Sequence, residues 1–315
     1  MIYICIPAHN EEQTVGVVLW KVRQVMAELG RDYQLLVADD GSTDRTPAVL
    51  QPYTRVLPLT VYRTDTRRGY AAALELLLRE ALRRSEYPRR DVIIVLQADF
   101  SEDPQHVETL VKRIESGADI IASNTVYGGV RPTRKYRWGR AAMNRLLRRF
   151  AWPERVRDPL AGLNAYRVAT VKRALEERNG GRLLQHEGWA ANAELLKEAA
   201  PHARRVDVVE LEHRRERLQR EERFHFMPVF REVFALVRGR VTDPLPPEQL
   251  QADSVHGGRA LRTPVAESLR DSVAHNGASR EGGDRRRNGP ARRHGENDRK
   301  TGGRTRKAPS AGQSA

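Results

Sequence analysis

Val92-Ile93-Ile94-Val95-Leu96, running straight into Gln97-Ala98-Asp99, is the stretch that decides the fold. Five large apolar residues in a row, four of them β-branched, fit a strand buried on both faces rather than an amphipathic helix or a strand with one wet side. Working outward, Tyr70 to Arg84 carries the spacing of a helix, and Thr60-Val61-Tyr62 and Leu35-Leu36-Val37-Ala38 are further short apolar runs. The chain opens with another such run, Ile2-Tyr3-Ile4-Cys5-Ile6, ended by Pro7. Thr14 to Leu29 then follows with Val17, Val18, Val22, Val25 and Met26 at helical spacing until Gly30 stops it. Continuous strands separated by helices predict an α/β, doubly wound fold with a mostly parallel central sheet and helices on both faces.

In open sheets of this kind, ligands bind beyond the carboxyl ends of the strands. Those ends are acidic here: Pro7-Ala8-His9-Asn10-Glu11-Glu12, Asp39-Asp40-Gly41-Ser42-Thr43-Asp44, and Gln97-Ala98-Asp99-Phe100-Ser101-Glu102-Asp103. Three converging carboxylate turns repel one another unless a cation or hydrogen-bond donors lie among them. Hard oxygen ligands favour Mg²⁺ or Mn²⁺, with a diphosphate completing the coordination. Helix capping is the competing explanation. Ser42 and Asp44 can cap a helix starting near Arg45, and Asp103 before Pro104 reads as a cap with proline in the first turn. Capping leaves Asp39, Asp40 and Asp99 to be explained.

Composition changes along the chain. Beyond Phe234 there is no aromatic residue, and residues 251–315 hold 14 Lys and Arg against 7 Asp and Glu with few large apolar side chains. Such a segment cannot bury enough surface to offset its ordering entropy, so residues 1–242 are expected to form the folded domain and 243–315 a disordered Arg/Gly-rich tail. Residues 251–315 then account for +7 of the net +14, leaving +7 for the rest of the chain. Solubilisation and attraction to an anionic surface both fit such a tail, and no specific nucleic-acid partner is expected. No apolar run approaches the roughly 18 residues that cross a bilayer. The strand pattern begins at Ile2 with no leader-like segment, which predicts a cytoplasmic protein. Cys5, the one cysteine, is read as a buried strand residue.

The ordered segments Ile6-Pro7-Ala8-His9-Asn10-Glu11-Glu12, Asp39-Asp40-Gly41-Ser42-Thr43-Asp44, Arg68-Gly69-Tyr70-Ala71-Ala72-Ala73 and Gln97-Ala98-Asp99-Phe100-Ser101 resemble family 2 glycosyltransferases with the GT-A fold. The similarity is greatest to dolichol-phosphate mannose synthase and its bacterial polyprenyl-phosphate relatives. Asp158 to Arg167 resembles that group's Asp-x-x-Ser-Gly-Phe-Arg-x-Tyr, and Asn192-Ala193-Glu194 its Gln-x-Glu helix. The resemblance spans roughly residues 1–237. It implies that Pro7, Ala8, Glu11 and Asp39 surround the base and ribose of a nucleotide-sugar, with Asp40 close by. Asp99 would bind Mg or Mn bridging the two phosphates, and Gln97 would hydrogen-bond the ribose. Arg68-Gly69 would approach the same phosphates, although Gly69 alone also reads as a loop glycine before a helix. Asp99 and Arg140 are the expected catalytic pair, with metal and arginine stabilising the departing diphosphate.

The chain also departs from that pattern. Gln97 replaces the first acid of Asp-x-Asp, and Ser123-Asn124-Thr125 lacks the family's phosphate-binding arginine. Arg131, Arg134, Lys135 and Arg137 are candidates to replace it. Arg217 to Arg223 lacks the Gly and Ser of Arg-x-x-Gly-x-Ser-Lys. Tyr136 to Trp152 and Phe224 to Val237 each read either as a helix on an anionic interface or as a core-facing helix with solvated charges. The expected activity is inverting transfer from a nucleotide-diphosphate sugar to a polyprenyl phosphate at the inner face of the membrane. A soluble hydroxyl acceptor is the alternative, for which His186-Glu187 sits where a base comes in related hydroxyl-transferring enzymes, although the pair reads equally as a loop or capping element; a binding protein without turnover is the other alternative.

Overall fold

The computed structural model describes residues 1–126, 134–147, 150, 156–212 and 226–239. The boundary near residue 242 and the expected tail lie outside these residues. So do Arg131, Arg148, Arg149, Trp152, Phe224 and the 217–223 segment.

The expected strands and helices form, mostly with longer strands than the apolar runs suggested. They are β1 (Ile2–Ala8), α1 (Val15–Leu29), β2 (Tyr33–Asp40), α2 (Thr46–Tyr53), β3 (Leu59–Thr64), α3 (Tyr70–Arg84) and β4 (Val92–Val95). Pro7 does not end β1, because its ring restricts the backbone to a φ that extended structure tolerates and removes only one N–H. α4 (His106–Glu115), β5 (Ile120–Val126), α5 (Arg134–Leu147), β6 (Asn164–Arg167), α6 (Val168–Glu177), α7 (Trp189–Ala199), β7 (Val206–Glu212) and α8 (Phe226–Arg238) follow.

Seven strands make one sheet in the order β3-β2-β1-β4-β6-β5-β7. β6 runs antiparallel to β4 and β5, whereas the other paired strands are parallel. The sheet is buried on both faces, as its uninterrupted apolar strands require. Ile2, Ile4 and Ile6 share a cluster with Val18, Leu19 and Val22 of α1, while Tyr3 and Cys5 share one with Leu74, Leu77 and Leu78 of α3. β4 divides in the same way, with Ile94 on the α1 side and Ile93 and Val95 on the α3 side. Each such side chain contributes about 1.5–3 kcal/mol by leaving water.

The two amphipathic helices bury their apolar stripes within the protein. Met143 and Leu147 of α5 cluster with Val233 and Leu236 of α8 and with Ala190 and Ala193 of α7. These residues are core, the second of the two readings their spacing allowed. Trp138 and Met227, at 76% and 71% exposure, face solvent instead. Among the described residues, no helix is long and apolar enough to cross a membrane.

Candidate active site

Parallel pairing brings the acidic turns to one sheet edge. Ala8 of β1 lies opposite Asp39 of β2, Asp39 opposite Arg63 of β3, and Cys5 opposite Val95 of β4. The turns leaving β1, β2 and β4 therefore meet. Between them is a cleft of about 210 Å³ lined by Pro7, Ala8, His9, Glu11, Asp40, Arg67, Tyr70, Gln97 and Asp99. Six of the expected site residues thus share one cavity. Asp39 and Gly69 flank it through their neighbours Ala8 and Asp40, and Arg140 lines a different cavity.

Much of the acidity serves to hold these turns. Asn10 adopts a left-handed conformation with φ of 57°, and its Oδ1 accepts the Thr43 N–H at 2.8 Å. Asp44 accepts from Glu12 N–H at 3.2 Å and Thr46 N–H at 2.9 Å, while Glu12 Oε2 accepts from Arg45 N–H at 2.9 Å. Asp44 is therefore the cap expected at α2. Ser42 is not, because its Oγ accepts the Asn10 N–H at 2.9 Å. Asp103 accepts the Gln105 N–H at 3.0 Å at the entrance to α4, as a cap should.

Asp40 holds the turn before α3, its Oδ1 taking the Arg68 N–H at 2.7 Å and its Oδ2 the Gly69 N–H at 2.8 Å. Those two amides, expected beside a phosphate, are therefore engaged by a side chain. Gly41 is required below them. It has φ of 61°, and a side-chain methyl there would meet Arg67 backbone N at 2.5 Å.

Two acids remain for chemistry. Asp39 is fully buried; its Oδ1 accepts the Ser42 N–H at 3.3 Å, while Oδ2 has no hydrogen-bond partner and lies 3.6 Å from Arg63 Nε. A buried carboxylate oxygen left so fits a ligand N–H or O–H. Asp99 Oδ1 accepts the Ser101 N–H at 2.9 Å, which aims the β4–α4 turn. Among the described residues, no group of three or more His, Cys, Asp or Glu is placed to hold a metal ion. The acidic side chains lining the cleft, Glu11, Asp40 and Asp99, offer oxygen donors, and Gln97 in place of an acid lowers their total charge. That set suits a hard divalent cation drawing most of its ligands from phosphate.

Beside Asp99 sits Glu102, which the sequence pattern did not single out. Its Oε1 accepts the N–H groups of Gly162 and Leu163 at 2.9 and 3.1 Å, and its Oε2 is buried without a hydrogen-bond partner. Burial first, then the charge of Asp99, push its carboxyl up to about 7. Gly162 passes so close that a methyl there would collide with Gln97 Nε2 and reach Glu102 Oε1 at 2.7 Å. The Asp-x-Asp segment is thereby locked to the Asp158–Gly162 segment.

Arg140 belongs to the second cavity, of about 660 Å³, with Arg134, Arg137, Arg157, Trp138 and Asn144. Its Nη2 and Nε lie 2.7 and 3.1 Å from Asp158 Oδ2, and its guanidinium stands 4.9 Å from the Trp189 ring. Burial would raise the Asp158 carboxyl, but Arg140, with Thr125 and Asn144, holds it below the ordinary range. Asn124 Oδ1 accepts the N–H groups of Arg157 and Asp158 at 2.8 and 3.1 Å. It thus latches the wall where the family pattern has an arginine. His186 lies buried with its Nδ1 3.0 Å from Glu194 Oε1. Glu187 covers Gly69, and burial raises its carboxyl.

A doubly wound sheet with an acidic edge and one reversed strand, β6, is the frame on which these turns meet. Residues 3–175 match the family described as Glycosyl transferase family 2, and the chain belongs to that family. It is 28% identical over 242 residues to an undecaprenyl-phosphate 4-deoxy-4-formamido-L-arabinose transferase of Shewanella sediminis, covering 77% of this chain and 67% of that protein. To a dolichol-phosphate mannosyltransferase of Pyrococcus furiosus it is 27% identical over 175 residues, 54% of this chain and 47% of that one. Among solved structures, the glucosyl-3-phosphoglycerate synthase of M. tuberculosis superposes with a TM-score of 0.54 at 19% identity, covering 78% of this chain and 82% of that one. The fold is therefore GT-A, and the chain is a family 2 glycosyltransferase.

Proposed function

We propose that the enzyme transfers a sugar, with inversion, from a nucleotide-diphosphate sugar to a polyprenyl phosphate, working peripherally at the inner face of the membrane. The observation that carries this is the large cavity that Arg134 and Arg137 line beside exposed Trp138, with Arg140 and Arg157 in its wall paired to Asp158 and Glu210. Such a wall suits an anionic acceptor with a greasy chain. Both curated relatives described above carry a polyprenyl-phosphate acceptor in their names, which supports the same class.

The donor is assigned to the smaller cleft. Asp39 Oδ2 is available to the base or ribose, Pro7, Ala8 and Glu11 form the wall around them, and Gln97 stands where a ribose hydroxyl can be reached. Asp99 would hold the Mg²⁺ or Mn²⁺ ion, which supplies positive charge to the diphosphate as the sugar leaves. An acceptor phosphate oxygen forms the new bond to the anomeric carbon while the bond to the β-phosphate breaks, and the nucleoside diphosphate departs. The acceptor is already ionised, so no general base is needed. Arg140, neutralised by Asp158, keeps the arginine wall in place.

A panel of nucleotide-sugars with Mg²⁺ or Mn²⁺, offered undecaprenyl phosphate or a water-soluble alcohol, tests this reading. Transfer to the lipid phosphate is the expected result, and transfer only to the alcohol would contradict it. Asp39→Ala should weaken nucleoside diphosphate binding about tenfold by calorimetry, as loss of a charged hydrogen bond does. Unchanged affinity would place the base elsewhere.

A further inference from the structure

The loop before α7, residues 185–188, is clamped from two sides. Gln185 and His186 donate their N–H groups to Glu194 Oε2 at 2.7 and 3.0 Å. Glu187 donates its own to Glu232 Oε2 of α8 at 3.3 Å. Glu194 and Glu232 are 3% and 7% exposed, so both clamps are buried. Gly188, with φ of 61° and ψ of −135°, takes a backbone shape that side chains disfavour, and it turns the chain at Glu187.

What the clamps deliver is the Glu187 carboxylate. It lies over Gly69, where a methyl would stand 2.5 Å from Glu187 Oε1, and its Oε2 accepts the Ala71 N–H at 3.3 Å in the first turn of α3. α3 begins after a glycine and has no capping side chain of its own. Glu187 therefore caps it from across the fold. Gly69 in turn donates to Asp40, which lines the donor cleft.

From this we infer that Glu187 is a positioning residue for donor binding, and that α8 holds it in place through Glu232. A side-chain oxygen seated at the start of α3 fixes the Arg68-Gly69 turn, and through the Gly69 N–H it fixes Asp40 at the wall of the donor cleft. Both Glu187 and α8 lie beyond the residues 3–175 that match the family. The inference rests on the reading that the Asp99 cleft takes the donor.

Calorimetry of UDP, GDP, ADP and CDP with MnCl₂ against the full chain first identifies the diphosphate that binds. Glu187→Ala should weaken that diphosphate about five- to tenfold, as loss of a helix cap does, and Glu232→Ala should weaken it severalfold. Glu187→Gln keeps an oxygen for the Ala71 N–H and should restore binding and turnover to within about threefold. Normal binding with abolished turnover in Glu187→Gln would make Glu187 a general base and overturn the inference. Full affinity in Glu187→Ala would overturn it as well, and full affinity in Glu232→Ala would overturn the part played by α8. Hydrogen exchange separates this from failure of the donor reading. Without ligand, the Ala71 amide should exchange faster in Glu187→Ala and in Glu232→Ala even if no diphosphate binds, and unchanged exchange would remove the cap itself.

Discussion

Glu102 shows how one carboxyl can serve stability and alignment at once. Its carboxyl stands near 7, against an ordinary 4.5, so between those values the folded protein holds a proton that the unfolded chain releases. Stability from this group is therefore complete below about pH 4.5 and falls as pH rises through about 7. Glu102→Gln removes the titration while keeping an oxygen for Gly162 and Leu163. In metal-free protein, thermal melts should show the unmodified enzyme losing on the order of 2–3 kcal/mol more than the variant between pH 5 and pH 8. Equal losses would mean that Glu102 is ionised at neutral pH. The sequence contained this residue in its third acidic turn but gave no sign of its role, which depends on Gly162, 60 residues away, approaching its side chain. Asp44 and Asp103, by contrast, were legible as caps because their partners are local.

At the scale of elements, legibility followed burial and length. α3 spans Tyr70–Arg84 as its periodicity required, because eight of its residues are buried, among them Leu74, Leu77 and Leu78 in the cluster with Tyr3 and Cys5 of β1. β6 was not legible, since Asn164–Arg167 is four residues of mixed character whose strand state comes from pairing with β4 and β5. α5 and α8 were legible as amphipathic, but their spacing alone did not say what covers the apolar stripe. The structure assigns that stripe to mutual packing and leaves Trp138 outside, while Arg140 and Glu232 are buried. If the outer face of α5 meets anionic lipid, replacing Arg134, Arg137 and Arg145 together with Gln should weaken sedimentation with phosphatidylglycerol vesicles. The reduction should be roughly tenfold to a hundredfold, at about 1 kcal/mol per cation, and it should shrink as salt is raised. Vesicle binding equal to that of the unmodified protein would move the membrane contact elsewhere.

Among the described residues, the region after residue 175 adds α7, β7 and α8 to the part that matches family 2. A chain ended at Thr242 keeps every described residue. It should melt within a few degrees of the full chain and turn over a water-soluble acceptor analogue at a near-normal rate. Loss of the cooperative melt would show that residues 243–315 stabilise the fold.

Asp99→Asn measures the central assignment most directly, because it preserves shape while removing the one carboxylate in the Gln97-Ala98-Asp99 turn that faces the cleft. With its Mn²⁺- or Mg²⁺-dependent transfer to undecaprenyl phosphate followed beside its melting temperature, the variant should fold normally and lose at least about a hundredfold in kcat, since charge on the leaving diphosphate is no longer stabilised. A well-folded Asp99→Asn enzyme that transfers sugar at the full metal-dependent rate would contradict the assignment of this cleft as the active site.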